Sequence, residues 1–216
     1  MSAKNVLHHF EIIDTEEKAY WLGFLYADGS VGSSEAKIEL GLAEKDVKHI
    51  EKFRNFIGIN NKISYREKTK SYRYSFRSQS CKEDLIKQGC IPKKSLILKF
   101  PTVDQVPLKL IKHFIRGYFD GDGWFTNTDN CFQVGLIGTE DFIKGFLDNI
   151  KNINKDNKIF NVHREDGAKR YIFSAYQDVL NFLNWIYKDA NIYLDRKYEH
   201  YIDFINNGSK YHKTVK

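Results

Sequence analysis

The sequence predicts an α+β protein of two pseudo-symmetric αββαββα repeats. Their strands form a saddle-shaped antiparallel sheet, and one helix of each repeat meets its counterpart at a central interface. Three observations carry this expectation. An apolar helix stopping at Asp-Gly occurs twice, and the same order of strands and helices follows each stop. Equivalent acidic residues keep a nearly constant separation, 94 residues from Asp28 to Asp122 and 95 from Asp46 to Asp141. Two repeats are too few for a solenoid, so the copies bury their faces on each other about a shared axis. The 216 residues fit two halves of about 100 residues, expected at 1–103 and 104–216, with the junction at Pro101 and Pro107.

In the first repeat, Glu16 to Ala27 has a helical pattern, with Asp14 or Thr15 as N-cap and Glu17 completing a capping box with Asp14. Lys37 to Leu42 alternates as a strand with Ile38, Leu40 and Leu42 on one face, and Asp46 to Ile57 returns to helical period. Lys62 to Lys68 and Ser71 to Ser78 read as a hairpin, and Glu83 to Gln88 as a helix. The second repeat opens near Pro107, tolerated in a first helical turn, and runs through Leu108, Ile111, Phe114, Ile115 and Tyr118. Cys131 to Ile137 is then the strand, with Phe132, Val134 and Leu136 on one face. Asp141 to Ile150 is the helix, Lys158 to Arg164 and Lys169 to Ser174 the hairpin, and Asp178 to Tyr187 the next helix.

Composition narrows the class. With 42% hydrophobic and 15% aromatic residues the chain can bury a core, which excludes wholesale disorder. Three cysteines without a CxxC pair exclude a disulfide framework and a zinc ribbon, and point to an intracellular, reducing compartment. No leader-like N-terminus and no run of about 18 apolar residues occurs, so neither secretion nor a membrane partner is expected. The excess of 34 Lys+Arg over 28 Asp+Glu points to a polyanion.

The first hairpin places that charge. It carries Lys62, Arg66, Lys68, Lys70, Arg73 and Arg77, offset only by Glu67, and Tyr72, Tyr74 and Phe76 alternate with Arg73, Ser75 and Arg77. One face then packs on a core, while the other can lay Arg and Lys into a DNA major groove, Arg suiting guanine and both suiting phosphate. A solvated sheet face has the same pattern; the strict alternation and the positive charge favour DNA. Lys37 and Gln133, on the leading strands, are further candidate contacts. His163, Arg164, Lys169 and Arg170 would do the same more weakly for the second half, and the basic tail from Lys210 to Lys216 is expected to be mobile.

The paired helix ends read Trp21-Leu22-Gly23-Phe24-Leu25-Tyr26-Ala27-Asp28-Gly29 and Ile115-Arg116-Gly117-Tyr118-Phe119-Asp120-Gly121-Asp122-Gly123. Small residues four apart, Gly23 with Ala27 and Gly117 with Gly121, permit backbone-to-backbone packing. Asp28 and Asp122 would then emerge side by side at two helix C-termini, an arrangement that calls for a cation. Hard oxygen ligands suit Mg²⁺ or Ca²⁺ rather than zinc, and the carbonyls of Ala27 and Gly121 could add to the ligand set. A single Asp-Gly is an ordinary helix stop; two in equivalent places favour a shared site. Tyr26 and Asp120 hold equivalent positions and differ, so Asp120 reads as structural, a cap or rim contact.

On these motifs the sequence resembles the LAGLIDADG homing endonucleases in their single-chain, two-motif form. Ile115 to Gly123 fits closely, while the first copy departs at Trp21 and Tyr26; the likeness runs from Lys18 to Ile205. The resemblance implies a monomeric, Mg²⁺-dependent enzyme of intron homing with Asp28 and Asp122 as metal-binding catalytic carboxylates. Such an enzyme cuts both strands of a long asymmetric double-stranded DNA site across the minor groove, leaving short 3′ overhangs. Mn²⁺ is expected to substitute, and Ca²⁺ to bind without supporting cleavage. A lysine near each catalytic centre is also implied. Lys94 in Pro92-Lys93-Lys94-Ser95 and Lys197 in Leu194-Asp195-Arg196-Lys197-Tyr198 match those positions, with Lys93 and Arg196 as competing assignments. The polar residue the family often carries at the end of each leading strand is not matched at Gly41-Leu42 or Ile137-Gly138. Other readings on the same scaffold are an intron RNA maturase and a non-cleaving DNA-binding protein; retention of both carboxylates argues for the nuclease. An intein origin is not expected, because a splicing domain has no room. None of the seven histidines is assigned to catalysis, and His113 reads as a packing or surface residue.

Overall fold

Helix α1 covers Glu16–Ala27 and opens on Thr15, whose hydroxyl accepts from the Lys18 N–H at 3.3 Å. Asp14 lies one residue too early to cap and pairs with the Lys18 ammonium at 2.8 Å, so the expected Asp14–Glu17 capping box gives way to a Thr15 cap. The computed structural model describes residues 8–128, 131–153, 159–161 and 168–212. After α1 come β1 (Gly29–Val31), β2 (Lys37–Ala43), α2 (Val47–Ile57), β3 (Ser64–Arg66), β4 (Ser71–Arg77) and α3 (Gln79–Lys87). The second half runs α4 (Ile111–Asp122), β5 (Gly123–Thr128), β6 (Cys131–Gly138), α5 (Glu140–Ile150), β7 (Ile159–Asn161), β8 (Lys169–Phe173), α6 (Tyr176–Tyr187) and α7 (Asp195–His212).

Each half builds its own four-stranded antiparallel sheet, in the orders β1-β2-β4-β3 and β5-β6-β8-β7. The expected saddle therefore consists of two sheets of identical topology, one per repeat. Several elements depart from the expected bounds. Each sheet opens on a strand outside those expected: β1 and β5 follow directly from the Asp-Gly stops, ahead of the expected leading strands β2 and β6, pairing Gly29 with Leu40 and Gly123 with Leu136. In the first hairpin β3 shrinks to three residues, because a 3₁₀ turn at Glu67–Thr69 and a left-handed Lys70 (φ 44°) close the loop. Helix α3 starts at Gln79 because Ser78 caps it, its hydroxyl accepting from the Cys81 N–H at 3.2 Å. Helix α7 runs on to His212, so Lys210 is helical rather than part of a mobile tail. Residues 154–158, 162–167 and 213–216 lie outside the described residues, and with them Lys158, His163 and Arg164.

The cores follow strand parity. In the first half, Ile38, Leu40, Tyr74 and Phe76 face Ile50 and Phe53 of α2; in the second, Val134, Leu136, Tyr171 and Phe173 face Phe142, Phe146 and Phe182. Between the halves, α1 is buried at every position from Ala19 to Tyr26, which is why it has apolar residues all round instead of a stripe. It packs on α4 backbone to backbone. A Cβ added at Gly23 would lie 2.0 Å from the Phe114 carbonyl oxygen, and one at Gly117 would lie 1.9 Å from that of Tyr20. These are one contact repeated about the pseudo-two-fold axis. Among the described residues no helix is long and apolar enough to cross a membrane, and Cys81 and Cys90 are buried free thiols.

Candidate active site

The close approach of α1 and α4 continues to their C-termini and fixes the site. A Cβ at Gly121 would stand 2.4 Å from the Ala27 methyl carbon and 3.1 Å from Oδ2 of Asp28, so the Asp28 carboxylate rests against the last turn of α4. Asp28 is the C-cap of α1 and Asp122 the last residue of α4, each with a solvent-exposed face. Desolvation by the surrounding helix ends, followed by the charge of Asp122, pushes the Asp28 carboxyl up to about 6, with Lys197 and Lys94 opposing. Asp122 is raised as well, again mainly by desolvation, while Lys94, Lys197 and the Tyr118 hydroxyl pull it down. The Tyr118 hydroxyl has one proton to share between Asp122 and the Ile137 carbonyl 2.9 Å away, and its ring stacks on Phe142 at 4.0 Å. The sequence pattern marked Tyr118 only as an apolar helix position, and nothing local announced that its hydroxyl reaches the carboxylate.

Two buried lysines complete the arrangement. Lys94 stands in a 3₁₀ turn (Lys94–Leu96) entered through a left-handed Lys93 (φ 55°), and its Nζ donates to the Gly29 carbonyl. Lys197, in the first turn of α7, donates to the carbonyls of Phe119 at 2.5 Å and Gly123 at 2.6 Å. Gly29 and Gly123 each follow one of the carboxylates, so the lysines hold equivalent places. Burial draws the Lys197 ammonium down to about 8, against the pull of Asp120, Asp28 and Asp122. Of the competing assignments, Lys93 faces solvent, and Arg196 is bound to Asp46 at 2.9 and 3.1 Å. A cavity of about 150 Å³, space for a few water molecules, is lined by Phe119, Gly121, Gly123, Trp124 and Lys197.

The outer faces of the two sheets differ. In the first, the pairs Lys37–Arg77, Glu39–Ser75 and Gly41–Arg73 share the face turned away from the core, with Arg66 beyond them. Glu39 binds Lys37 at 2.7 Å and Arg73 at 2.6 Å, and Glu35 binds Arg77 at 2.5 Å. Glu67 is thus not the only acid offsetting this charge. Glu39 alternates with Ile38 and Leu40 and so had to fall on the outer face. Arg66, Lys68 and Lys70 are exposed and, among the described residues, form no ion pair. In the second sheet the outer face carries Trp124, Thr126, Gln133, Ile137, Arg170 and Ile172. Lys169 does not join Arg170 there: neighbours along a strand point opposite ways, and its Nζ lies 3.7 Å from Glu140.

Two αββαββα halves joined through glycine-faced helices, each delivering one carboxylate to a common axis, define a class. The chain has the fold of the LAGLIDADG homing endonucleases in its single-chain form. It superposes on the I-LtrWI LAGLIDADG homing endonuclease bound to target DNA with a TM-score of 0.61, at 12% identity over 97% of this chain and 92% of that one. The meganuclease I-SmaMI bound to uncleavable DNA matches with a TM-score of 0.61, at 13% identity over 87% of this chain and 88% of that one. Full-length DUF199/WhiA from Thermatoga maritima matches at 0.58, with 15% identity over 95% of this chain and 67% of that one. In sequence the chain is similar to a probable translation initiation factor IF-2 of Methanocaldococcus jannaschii, 23% identical over 159 residues; the match takes in 70% of this chain and 13% of that protein's length. No family model matches the chain.

Proposed function

We propose that the chain is a site-specific double-strand DNA endonuclease of the homing type, hydrolysing phosphodiester bonds with Mg²⁺ held between Asp28 and Asp122. The observation that carries this reading is the pair of carboxylates at adjoining helix ends, each next to a glycine whose carbonyl holds a buried lysine. The donor set fits the ion. Two carboxylates share a solvent-open site, the carbonyls of Ala27 and Gly121 lie in the same helix ends, and among the described residues neither lysine is spent on an ion pair with a carboxylate. Among the described residues no third Asp, Glu, His or Cys completes a protein cage, which suits a cation that keeps waters and takes up phosphate oxygens. When bound, it would polarise the scissile phosphate and acidify a water. Lys94 and Lys197, pinned by main-chain carbonyls, supply fixed positive charge near each scissile phosphate, and Lys197 can exchange a proton near neutral pH.

DNA is the partner this reading requires, and the DNA-bound state of the I-LtrWI and I-SmaMI structures supports it. Arg66, Lys68 and Lys70 are suited to phosphates, and the Lys37–Glu39–Arg73 network, with Ser75 and Arg77, to base edges. On the second half Arg170 and Gln133 take that part. One chain with internal two-fold symmetry suffices as a monomer, and two buried free thiols suit a reducing compartment. The test is selection from a plasmid library of randomised sites with Mg²⁺ or Mn²⁺. A single asymmetric site cut on both strands, with short 3′ overhangs and no cutting in Ca²⁺, is the expected result. A site bound tightly yet never cut would make the chain a binding protein.

A further inference from the structure

Asp120 lies two residues before Asp122 on α4 and is 1% exposed. Its Oδ1 accepts from the Tyr187 hydroxyl at 2.5 Å, and its Oδ2 from the Tyr20 hydroxyl at 2.8 Å and the Leu194 N–H at 2.8 Å. The last of these bonds reaches the segment that carries Lys197. Leu194 directly precedes α7, and its carbonyl accepts from the Lys197 N–H at 3.0 Å. The Lys197 Nζ then returns to the carbonyls of Phe119 and Gly123. Asp195 and Arg196 are also tied down, to Lys52 at 2.5 Å and Asp46 at 2.9 Å, but each of those pairs has a partner with more than two-fifths of its side chain exposed and is open to screening. Arg116, 0% exposed, holds the Ile192 carbonyl at 2.8 Å two residues upstream; Asp120 supplies the buried anchor at the entry to α7 itself, where an unfilled lone pair or an unpaired N–H is most costly.

The first half lacks this anchor. Tyr26 holds the equivalent position, and its hydroxyl donates to the Gln88 carbonyl at 2.5 Å, six residues ahead of Lys94. We propose that Asp120 is a positioning residue for Lys197, setting the rate at which one of the two DNA strands is cut while the cut governed by Lys94 is independent of it. This rests on the endonuclease reading.

A supercoiled plasmid carrying the selected site, with the ends of each strand labelled separately, resolves the two nicking steps. Asp120→Ala is expected to slow one strand by about 10- to 100-fold, the scale on which misplacing a catalytic group reduces rate, and Lys197→Met to slow the same strand. Asp120→Asn keeps an oxygen for the Leu194 N–H and the Tyr20 hydroxyl and turns its amide NH₂ to the Tyr187 hydroxyl oxygen, which then accepts instead of donating, so it should restore most of that rate without the charge. Because Asp120→Ala also strips two buried tyrosines of their acceptor, Leu194→Pro is the second variant. It removes the main-chain donor, leaves the tyrosine bonds intact, and should give the same one-strand defect. Equal slowing of both strands, a normal Leu194→Pro enzyme, or full loss in Asp120→Asn would each overturn the proposal. A wild type that cuts neither strand would instead overturn the endonuclease reading.

Discussion

Asp28 is the residue on which the electrostatics of the site turn. Its carboxyl sits at about 6, raised by desolvation and by Asp122, so the folded state holds that proton more tightly than the unfolded chain does. The stability this group contributes is full below about pH 4, its unfolded range, and is lost as pH rises through about 6. Asp28→Asn is therefore expected to melt at a higher temperature than wild type at pH 7, with the difference shrinking as pH falls towards 4. Saturating Mg²⁺ should raise the melting temperature of wild type, by about 2.7 kcal/mol of stability at 100 times Kd, and leave Asp28→Asn unmoved. Thermal melts at several pH values, with and without Mg²⁺, measure both; an Asp28→Asn protein less stable than wild type at pH 7 would contradict the electrostatic account. At this scale the repeated Asp-Gly stops marked the two carboxylates, while Lys94 and Lys197 came from the family resemblance, with Lys93 and Arg196 as alternatives. The sequence did not reveal that Glu39 occupies Lys37 and Arg73, or that Tyr118 reaches Asp122, since those partners come together only through sheet register and helix packing.

Among elements, the α1–α4 pair bears most weight. Gly23 and Gly117 each abut a main-chain carbonyl of the opposite helix, which cannot rotate away as a side chain can. Gly23→Ala or Gly117→Ala is expected to lower stability by about 1–3 kcal/mol through overpacking, with the denaturant midpoint as the readout. An exposed glycine with open space around it, Gly58, is the control for general effects of the substitution, although its φ of 74° adds a local penalty of its own. A Gly23→Ala midpoint unchanged from wild type would rule out the close packing. The helices and the seven-residue strands were readable because their periods are local. β1 was not, because three residues give no period. Helix α7 was not expected at all, and its polar, basic last turns resemble a free tail.

The whole molecule is symmetric at its axis and asymmetric at its faces. The topology, the glycine contact and the lysine-to-carbonyl bonds repeat in both halves. By contrast, the first sheet presents a charged network, and among the described residues the second presents Trp124, Ile137 and Ile172 beside Arg170 on the same face. Such a surface suits two unlike half-sites served by one shared centre. Among the cations behind the net charge of +6 are those of one sheet's outer face and two lysines at the axis. The shared centre is the central claim, and the most direct measurement is strand-resolved cleavage of the selected site by wild type, Asp28→Asn and Asp122→Asn, with Mg²⁺ or with EDTA, beside a binding titration of each. The account predicts cleavage of both strands by wild type with Mg²⁺ alone, and loss of both cuts in either variant while DNA binding persists. Cleavage in EDTA, or a variant that still cuts both strands at the wild-type rate, would contradict it.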